Sequence, residues 1–267
     1  MSLTTEQLAQ YKQEGFVALS EFFTADEVAV MQAELERVCQ QGLAYNVATD
    51  GDGKTPSTSQ SNLQICPLSP KSEVFRALPF AAKIRSTVGQ LLGDAFMLQL
   101  DQIFLKPGGI GAGTGWHQDN HYFASANPEQ GLGMWVALND ATVANGTMHI
   151  IPGSHTTRRE HTRDMGSNHH VTCHVDEEAE EVRPIELPAG GVLFFNYGIA
   201  HCTKANQTDK ARAGLALHFV QEAHKDAVRA GLADRPVLSG PNYVAGRDVY
   251  DRTMEGEWEA LVGTRLV

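Results

Sequence analysis

The run Trp116-His117-Gln118-Asp119, with His201 far downstream and Arg212 a short loop beyond it, has the residue types of a metal site. A His-x-Asp pair plus one distant His is the donor set of a facial triad, three ligands on one side of a metal with the other side open. Imidazole nitrogen and carboxylate oxygen suit non-haem Fe(II), which can then take up oxygen and an organic acid together. Arg212 could clamp such an acid, because a guanidinium meets a carboxylate through two parallel hydrogen bonds.

These residues need a scaffold that brings them together. Short strand-like runs follow one another at residues 97–106, 117–123, 132–139, 147–151, 182–187, 192–196, 201–204 and 214–220. Turn signals separate them: Pro107-Gly108-Gly109, Asn139-Asp140, Asn145-Gly146, Pro152-Gly153 and Gly190-Gly191. About eight strands at this rhythm predict a mainly β fold, a jelly roll or barrel, with N-terminal α-helices packed outside. On a strand, residues two apart share a face, so His117 and Asp119 are expected to project together while Trp116 and Gln118 face away. A reversal near Asn206-Gln207 would bring Arg212 back beside His201 as a hairpin.

The N-terminal part reads as helix, strand, helix. Residues 5–13 are amphipathic and stop at Gly15, residues 16–23 are strand-like, and Thr24-Ala25-Asp26-Glu27 is a capping box for a helix running to about Gln41. Residues 46–62 are rich in Gly, Asp, Ser and Thr with no apolar period, a loop long enough to be either a mobile lid or plain disorder. Helical spacing returns over 69–92, interrupted by Pro79 and ended by Gly93. Residues 156–181, a long insertion, hold four of the eleven histidines and an acidic run. The expectation is one domain over 1–267, with a helical part (1–95), a jelly-roll core (96–222) and a C-terminal extension (223–267).

Several rival chemistries are less well supported. His121 shares the expected face of His117 and Asp119, and a set of these three would suit a zinc hydrolase. The glutamate of a zinc-protease HExxH motif is absent, so His121 reads instead as a residue that supports the ligands or faces substrate. The glycine-rich stretch from Gly108 to Gly115 follows a strand, yet it lacks the GxGxxG spacing, no Lys-Ser/Thr follows it, and the next segment is strand-like. It is a loop into the metal strand rather than a nucleotide cradle. The formal net charge of -11 argues against nucleic acid and gives no support for docking on anionic membranes. No apolar run has the length of a membrane span, and the first residues lack the regions of a signal peptide. Four widely spaced cysteines without a CxxC indicate reduced thiols, as in a cytoplasmic protein.

Taken together, Trp116-His117-Gln118-Asp119, Trp135, Asn145-Gly146-Thr147 running through Pro152-Gly153-Ser154-His155, and His201 followed by Asn206 and Arg212 resemble the phytanoyl-CoA dioxygenase family of Fe(II)/2-oxoglutarate oxygenases. The opening Gly15-Phe16-Val17-Ala18-Leu19 also matches, and the resemblance extends over roughly residues 5 to 222. It implies a double-stranded β-helix with Fe(II) on His117, Asp119 and His201, and 2-oxoglutarate with its far carboxylate on Arg212. Gln102 and Trp135 stand at positions that family members use for the co-substrate, although relatives often carry Met at the first. Thr203, two residues from His201, would add a hydrogen bond to the co-substrate. Halogenases of this kind replace the carboxylate ligand by a small residue; Asp119 is present, so hydroxylation or desaturation is expected.

The expected activity is therefore an oxygenase using Fe(II), 2-oxoglutarate and O2 to hydroxylate or desaturate a small molecule, with release of succinate and CO2. A non-catalytic metal- or 2-oxoglutarate-binding module on the same scaffold is the alternative from another class, with the zinc hydrolase behind it. Asn120, His121 and Tyr122 beside the triad, and Lys106 as a partner for an anionic group, are the candidate substrate contacts. The acidic balance gives no reason to expect a polyanion such as CoA.

Overall fold

Apolar residues alternate along the central strands, and this alternation divides the molecule into layers. The computed structural model describes residues 2–123, 127–227 and 235–265. Its strands are β1 (Phe16–Leu19), β2 (Tyr45–Asn46), β3 (Leu63–Ile65), β4 (Phe96–Lys106), β5 (Thr114–His117), β6 (Gly131–Ala137), β7 (Met148–Ile150), β8 (His161–Arg163), β9 (Val171–Cys173), β10 (Arg183–Ile185), β11 (Val192–Asn196), β12 (His201–Thr203) and β13 (Arg212–Gln221). The helices are α1 (Thr5–Glu14), α2 (Ala25–Gln40), α3 (Glu73–Ala77), α4 (Ala82–Leu92), α5 (Asp119–Tyr122), α6 (Arg247–Tyr250) and α7 (Glu257–Arg265). One seven-stranded sheet runs β1-β11-β6-β13-β4-β3-β2 and a four-stranded sheet runs β10-β7-β12-β5, while β8 and β9 pair separately. This is the expected double-stranded β-helix.

On β6, Leu132, Met134 and Val136 join Val192 and Phe194 of β11 and Leu215, Leu217 and Phe219 of β13 in one core with α2, α3, α4 and α7. The residues between them point the other way: Trp135, Ala137, Leu193, Phe195 and Ala216 pack against Met148, Ile150 and Ile185 of the smaller sheet. Helices thus cover the outer face of the large sheet and the small sheet covers its inner face. Strand β4 changes face along its length. His218 pairs with Leu100 but Phe219 pairs with Leu98, leaving Gln99 as the extra residue of a bulge. Upstream of it Phe96 and Leu98 enter the helical core; downstream Leu100, Gln102, Phe104 and Lys106 face the inner cavity.

The N-terminal elements follow the sequence closely. Thr24 and Glu27 form the capping box of α2, a second box at Thr4 and Gln7 opens α1, and Pro79 sits in a 3-10 turn between α3 and α4. The expectation of a helical 1–95 segment was too simple, because β1, β2 and β3 lie at the two ends of the large sheet. Strand β1 stops at Leu19, and beyond it Phe22 packs edge-on against Phe23 and Phe194, and Phe23 against Trp258. Loop 46–62 is pinned to the insertion through Thr49 N–H to Gly166 O, Gly53 N–H to Met165 O and Asn168 N–H to Val47 O. The C-terminal extension expected from 223 falls partly outside the described residues. All four cysteines are free. No helix among the described residues is long and apolar enough to cross a membrane.

Candidate active site

Strands β5 and β12 are neighbours in the small sheet, and their register sets His117 directly opposite His201. The two rings lie 4.2 Å apart. Asp119 arrives differently from the way strand alternation suggested. Strand β5 ends at His117, and Asp119 is the first residue of the helical turn α5, so 117–123 is not a strand. One oxygen of Asp119, Oδ1, stands 3.8 Å from Nε2 of His117 and 3.8 Å from Nε2 of His201. The three ligand atoms lie within 4.8 Å of one another, and all three residues are buried.

Both histidines are oriented by backbone carbonyls. Nδ1 of His117 lies 2.8 Å from the Gly115 carbonyl and Nδ1 of His201 lies 3.0 Å from the Ile199 carbonyl. A carbonyl only accepts, so each Nδ1 carries the proton and each Nε2 keeps its lone pair for a metal. Burial pushes the pKa of His117 down to about 3, helped by His201, and burial pushes that of His201 down to about 4. Neutral imidazole is the ligating form. Two converging lone pairs and a carboxylate oxygen fit a divalent iron ion, and His117, Asp119 and His201 are the residues that would hold it.

These depressed values have a consequence for the metal-free protein. Below an unfolded-state pKa near 6.5 the unfolded chain takes up protons at these histidines while the folded chain does not, so stability falls with falling pH. His170, buried and held well below the usual imidazole range, adds to the same trend. The melting temperature of metal-free protein is expected to drop steadily from about pH 7 to about pH 5. A flat profile would contradict neutral buried ligands.

Gln118, expected only to face away, is the tie that holds the ligand segments in place. It is fully buried. Its amide nitrogen donates to the carbonyls of Thr157 (2.8 Å) and Gly198 (2.6 Å), and its amide oxygen accepts from Arg159 N–H at 2.8 Å. Its backbone N–H donates to Nε2 of His161 at 3.0 Å. One residue thus links the His117–Asp119 turn to the insertion and to the loop entering His201. Gln118→Ala is expected to cost about 3 kcal/mol, because several buried carbonyl and amide groups lose their partner. Urea unfolding with an iron titration measures this, and iron affinity should fall along with stability.

A cavity of about 350 Å³ opens beside the triad. Gln102, Trp135, Thr203, Arg212, Lys106 and Tyr122 line it, as do Tyr45, Gln64, Leu100, Phe104, Phe123, His170 and His218, which the sequence had not marked. Asn120 and His121 do not line it. The Asn120 N–H turns to the Tyr197 carbonyl, and exposed His121 stacks on His161 at 4.4 Å. A zinc set of His117, Asp119 and His121 is therefore not assembled; the third donor is His201. The expected hairpin between His201 and Arg212 is also absent, since β12 belongs to the small sheet and β13 to the large one. They meet because the sheets face each other. Asn206 closes the intervening loop, donating to the carbonyls of Lys106 and Lys210.

At one end of the cavity Lys106 and Arg212 are cross-strand partners, each 1% exposed. Their acceptors among the described residues are neutral: Thr203 Oγ1 (2.8 Å) and the Lys204 carbonyl for Lys106, the Gly146 carbonyl for Arg212. Gly146 adopts positive φ, and a Cβ there would collide with the Lys204 carbonyl. Burial, and then the Arg212 charge, hold the Lys106 ammonium well below its usual range. The Arg212 Nε has no partner, and Asp119 is the one carboxylate among the described lining residues. Two buried basic groups with no counter-ion among the described residues make a site for an anion.

The chain is similar in sequence and fold to known proteins. The family model for phytanoyl-CoA dioxygenase (PhyH) matches residues 11–214. Phytanoyl-CoA dioxygenase 1 of Oryza sativa subsp. japonica is 28% identical over 91% of this chain and 98% of its own length. Ectoine dioxygenase of Stutzerimonas stutzeri is 26% identical over 92% of this chain and 85% of its own. Among solved structures, EctD from S. alaskensis with 2-oxoglutarate and 5-hydroxyectoine superposes with a TM-score of 0.68 at 22% identity, covering 94% of this chain and 89% of that one. The epimerase SnoN with Fe3+, alpha ketoglutarate and nogalamycin RO gives 0.68 at 23%, covering 87% and 84%. These two structures share the fold.

Proposed function

The chain belongs to the phytanoyl-CoA dioxygenase family of Fe(II)/2-oxoglutarate-dependent oxygenases, and on that premise we propose that it hydroxylates or desaturates a small organic molecule, releasing succinate and CO2. His117, Asp119 and His201 hold the iron in this reading, and Arg212, Lys106 and Thr203 hold the far carboxylate of 2-oxoglutarate. The observation that carries it is the pairing of a three-ligand cluster with two buried, uncompensated cations in one cavity. Lys106 moves from a substrate contact to the co-substrate end. Tyr122 remains as a substrate wall, and Asn120 and His121 lose that role.

When bound, Fe(II) supplies the redox chemistry that couples oxidative decarboxylation of 2-oxoglutarate to oxidation of a substrate C–H bond. The chain does the rest. Lys106 and Arg212 orient the co-substrate, Trp135 and Gln102 wall its sides, and Leu100, Phe104 and Phe123 exclude water and present the substrate. The Tyr122 hydroxyl accepts from Val171 N–H at 2.9 Å, which ties this wall to the insertion. Oxidation of a C–H bond in this way needs no general acid or base, in keeping with histidines held neutral by burial.

The cavity, shared with the co-substrate, fits a small molecule or the end of a longer one. The relatives include phytanoyl-CoA and ectoine dioxygenases, so family membership leaves substrate size open. Anaerobic addition of Fe(II) and 2-oxoglutarate is expected to give a visible absorption band that needs both; its absence would sink the proposal. Stimulated succinate formation across a metabolite library then identifies the substrate. Tight 2-oxoglutarate binding with no stimulation by any compound would favour a non-catalytic module.

A further inference from the structure

Strand β13 sends Arg212, Ala216 and, at the next inward positions, His218 toward the cavity. The chemistry described so far makes no use of His218. It is 4% exposed, between the rings of Phe123 (5.1 Å) and Tyr197 (5.8 Å). Among the described residues its Nδ1 has no hydrogen-bond partner, and neither has Oδ2 of Asp119. These two atoms lie 3.4 Å apart without the alignment of a hydrogen bond. The other oxygen, Oδ1, is the one that stands 3.8 Å from both ligand nitrogens. The carboxylate is therefore divided, one oxygen toward the metal ligands and the other toward His218.

We propose that His218 is a positioning residue that keeps Asp119 a one-oxygen ligand: its Nδ1–H donates to Oδ2 once the metal draws Oδ1. This rests on the reading of His117, Asp119 and His201 as the iron ligands. A carboxylate free to swing could present both oxygens and occupy a position that co-substrate or oxygen needs. A neighbouring donor that engages one oxygen prevents this and fixes the carboxylate plane. His218 is suited to the task because it is rigidly placed. It pairs with Leu100 at the β4 bulge and with Gly133 of β6, and aromatic rings flank it. Gly133 lies within the strand where a Cβ would collide with Phe195, so the inner layer is tightly filled around it.

The test compares His218→Leu, which fills similar space without a donor, with His218→Asn, whose amide nitrogen can stand near the position of Nδ1. Fe(II) affinity is measured anaerobically by chelator competition, without turnover. His218→Leu is expected to bind Fe(II) about 10–100-fold more weakly, and His218→Asn to recover to within about threefold of the parent protein. Unchanged affinity in the Leu variant overturns the proposal, as does equal weakening in both variants, which would mean packing alone. Should the Leu variant fail to fold, nitrogen NMR of histidine-labelled, Zn(II)-loaded parent protein decides. A slowly exchanging Nδ1–H on His218 supports the role, and an Nε2–H tautomer overturns it. Asp119→Ala is the control for the premise: parent-like iron binding there removes the ligand assignment itself, whereas a loss there with unchanged His218 variants removes only this inference.

Discussion

Asp119→Ala is expected to abolish turnover and to weaken Fe(II) binding by more than the roughly 10–100-fold that follows loss of a supporting residue. Asp119 supplies the one anionic donor of the cluster, and two neutral imidazoles alone make a poor site for a hard divalent ion. The same substitution should leave the metal-free protein at least as stable as before. Oδ2 is buried without a hydrogen-bond partner, so the carboxylate imposes a desolvation penalty that the metal-free fold does not recover. Iron titration and thermal melting on the same samples check both halves. A metal-free variant that melts much earlier would mean that Asp119 holds the fold together rather than the metal.

The second large effect lies at the other end of the cavity. Arg212→Leu should raise the KM for 2-oxoglutarate on the order of 10²–10³-fold, the range expected when one partner of a buried charge pair is removed. Lys106→Met should weaken 2-oxoglutarate in the same direction and stabilise the metal-free protein, because it removes a buried ammonium that lies against a guanidinium. Succinate formation at varied 2-oxoglutarate, together with melting temperatures, gives the answer. If Lys106→Met instead left the co-substrate KM unchanged and altered only the substrate preference, Lys106 would return to the substrate side.

Much of the protein was legible in one dimension. The capping boxes, the Pro79 interruption and the strand rhythm depend on residues a few positions apart, and local hydrogen bonding and sterics decide them. His117, Asp119, His201 and Arg212 stood out because few chemistries use such a set, and the structure brings the first three within 4.8 Å of one another. The alternation through Arg212, Ala216 and His218 on β13 was also present in the sequence and could have marked His218 as an inward residue. The β4 bulge at Gln99 hid the corresponding phase on the neighbouring strand, since an inserted residue is invisible until the pairing is known.

By itself the sequence marked the candidate donors and the candidate clamp, and it determined a β-rich scaffold able to carry them. Only the tertiary structure decided that Asp119 reaches the cluster from a helical turn, that His121 turns outward onto His161, and that Lys106 joins Arg212 across two strands. It also decided that Gln118 ties both ligand segments and that His218 faces the second carboxylate oxygen. The physical reason is one of range. Residue type and local periodicity follow from covalent neighbours, whereas the direction of a side chain at a strand end, and the partner it meets, depend on which distant strand is paired and how one sheet lies over the other.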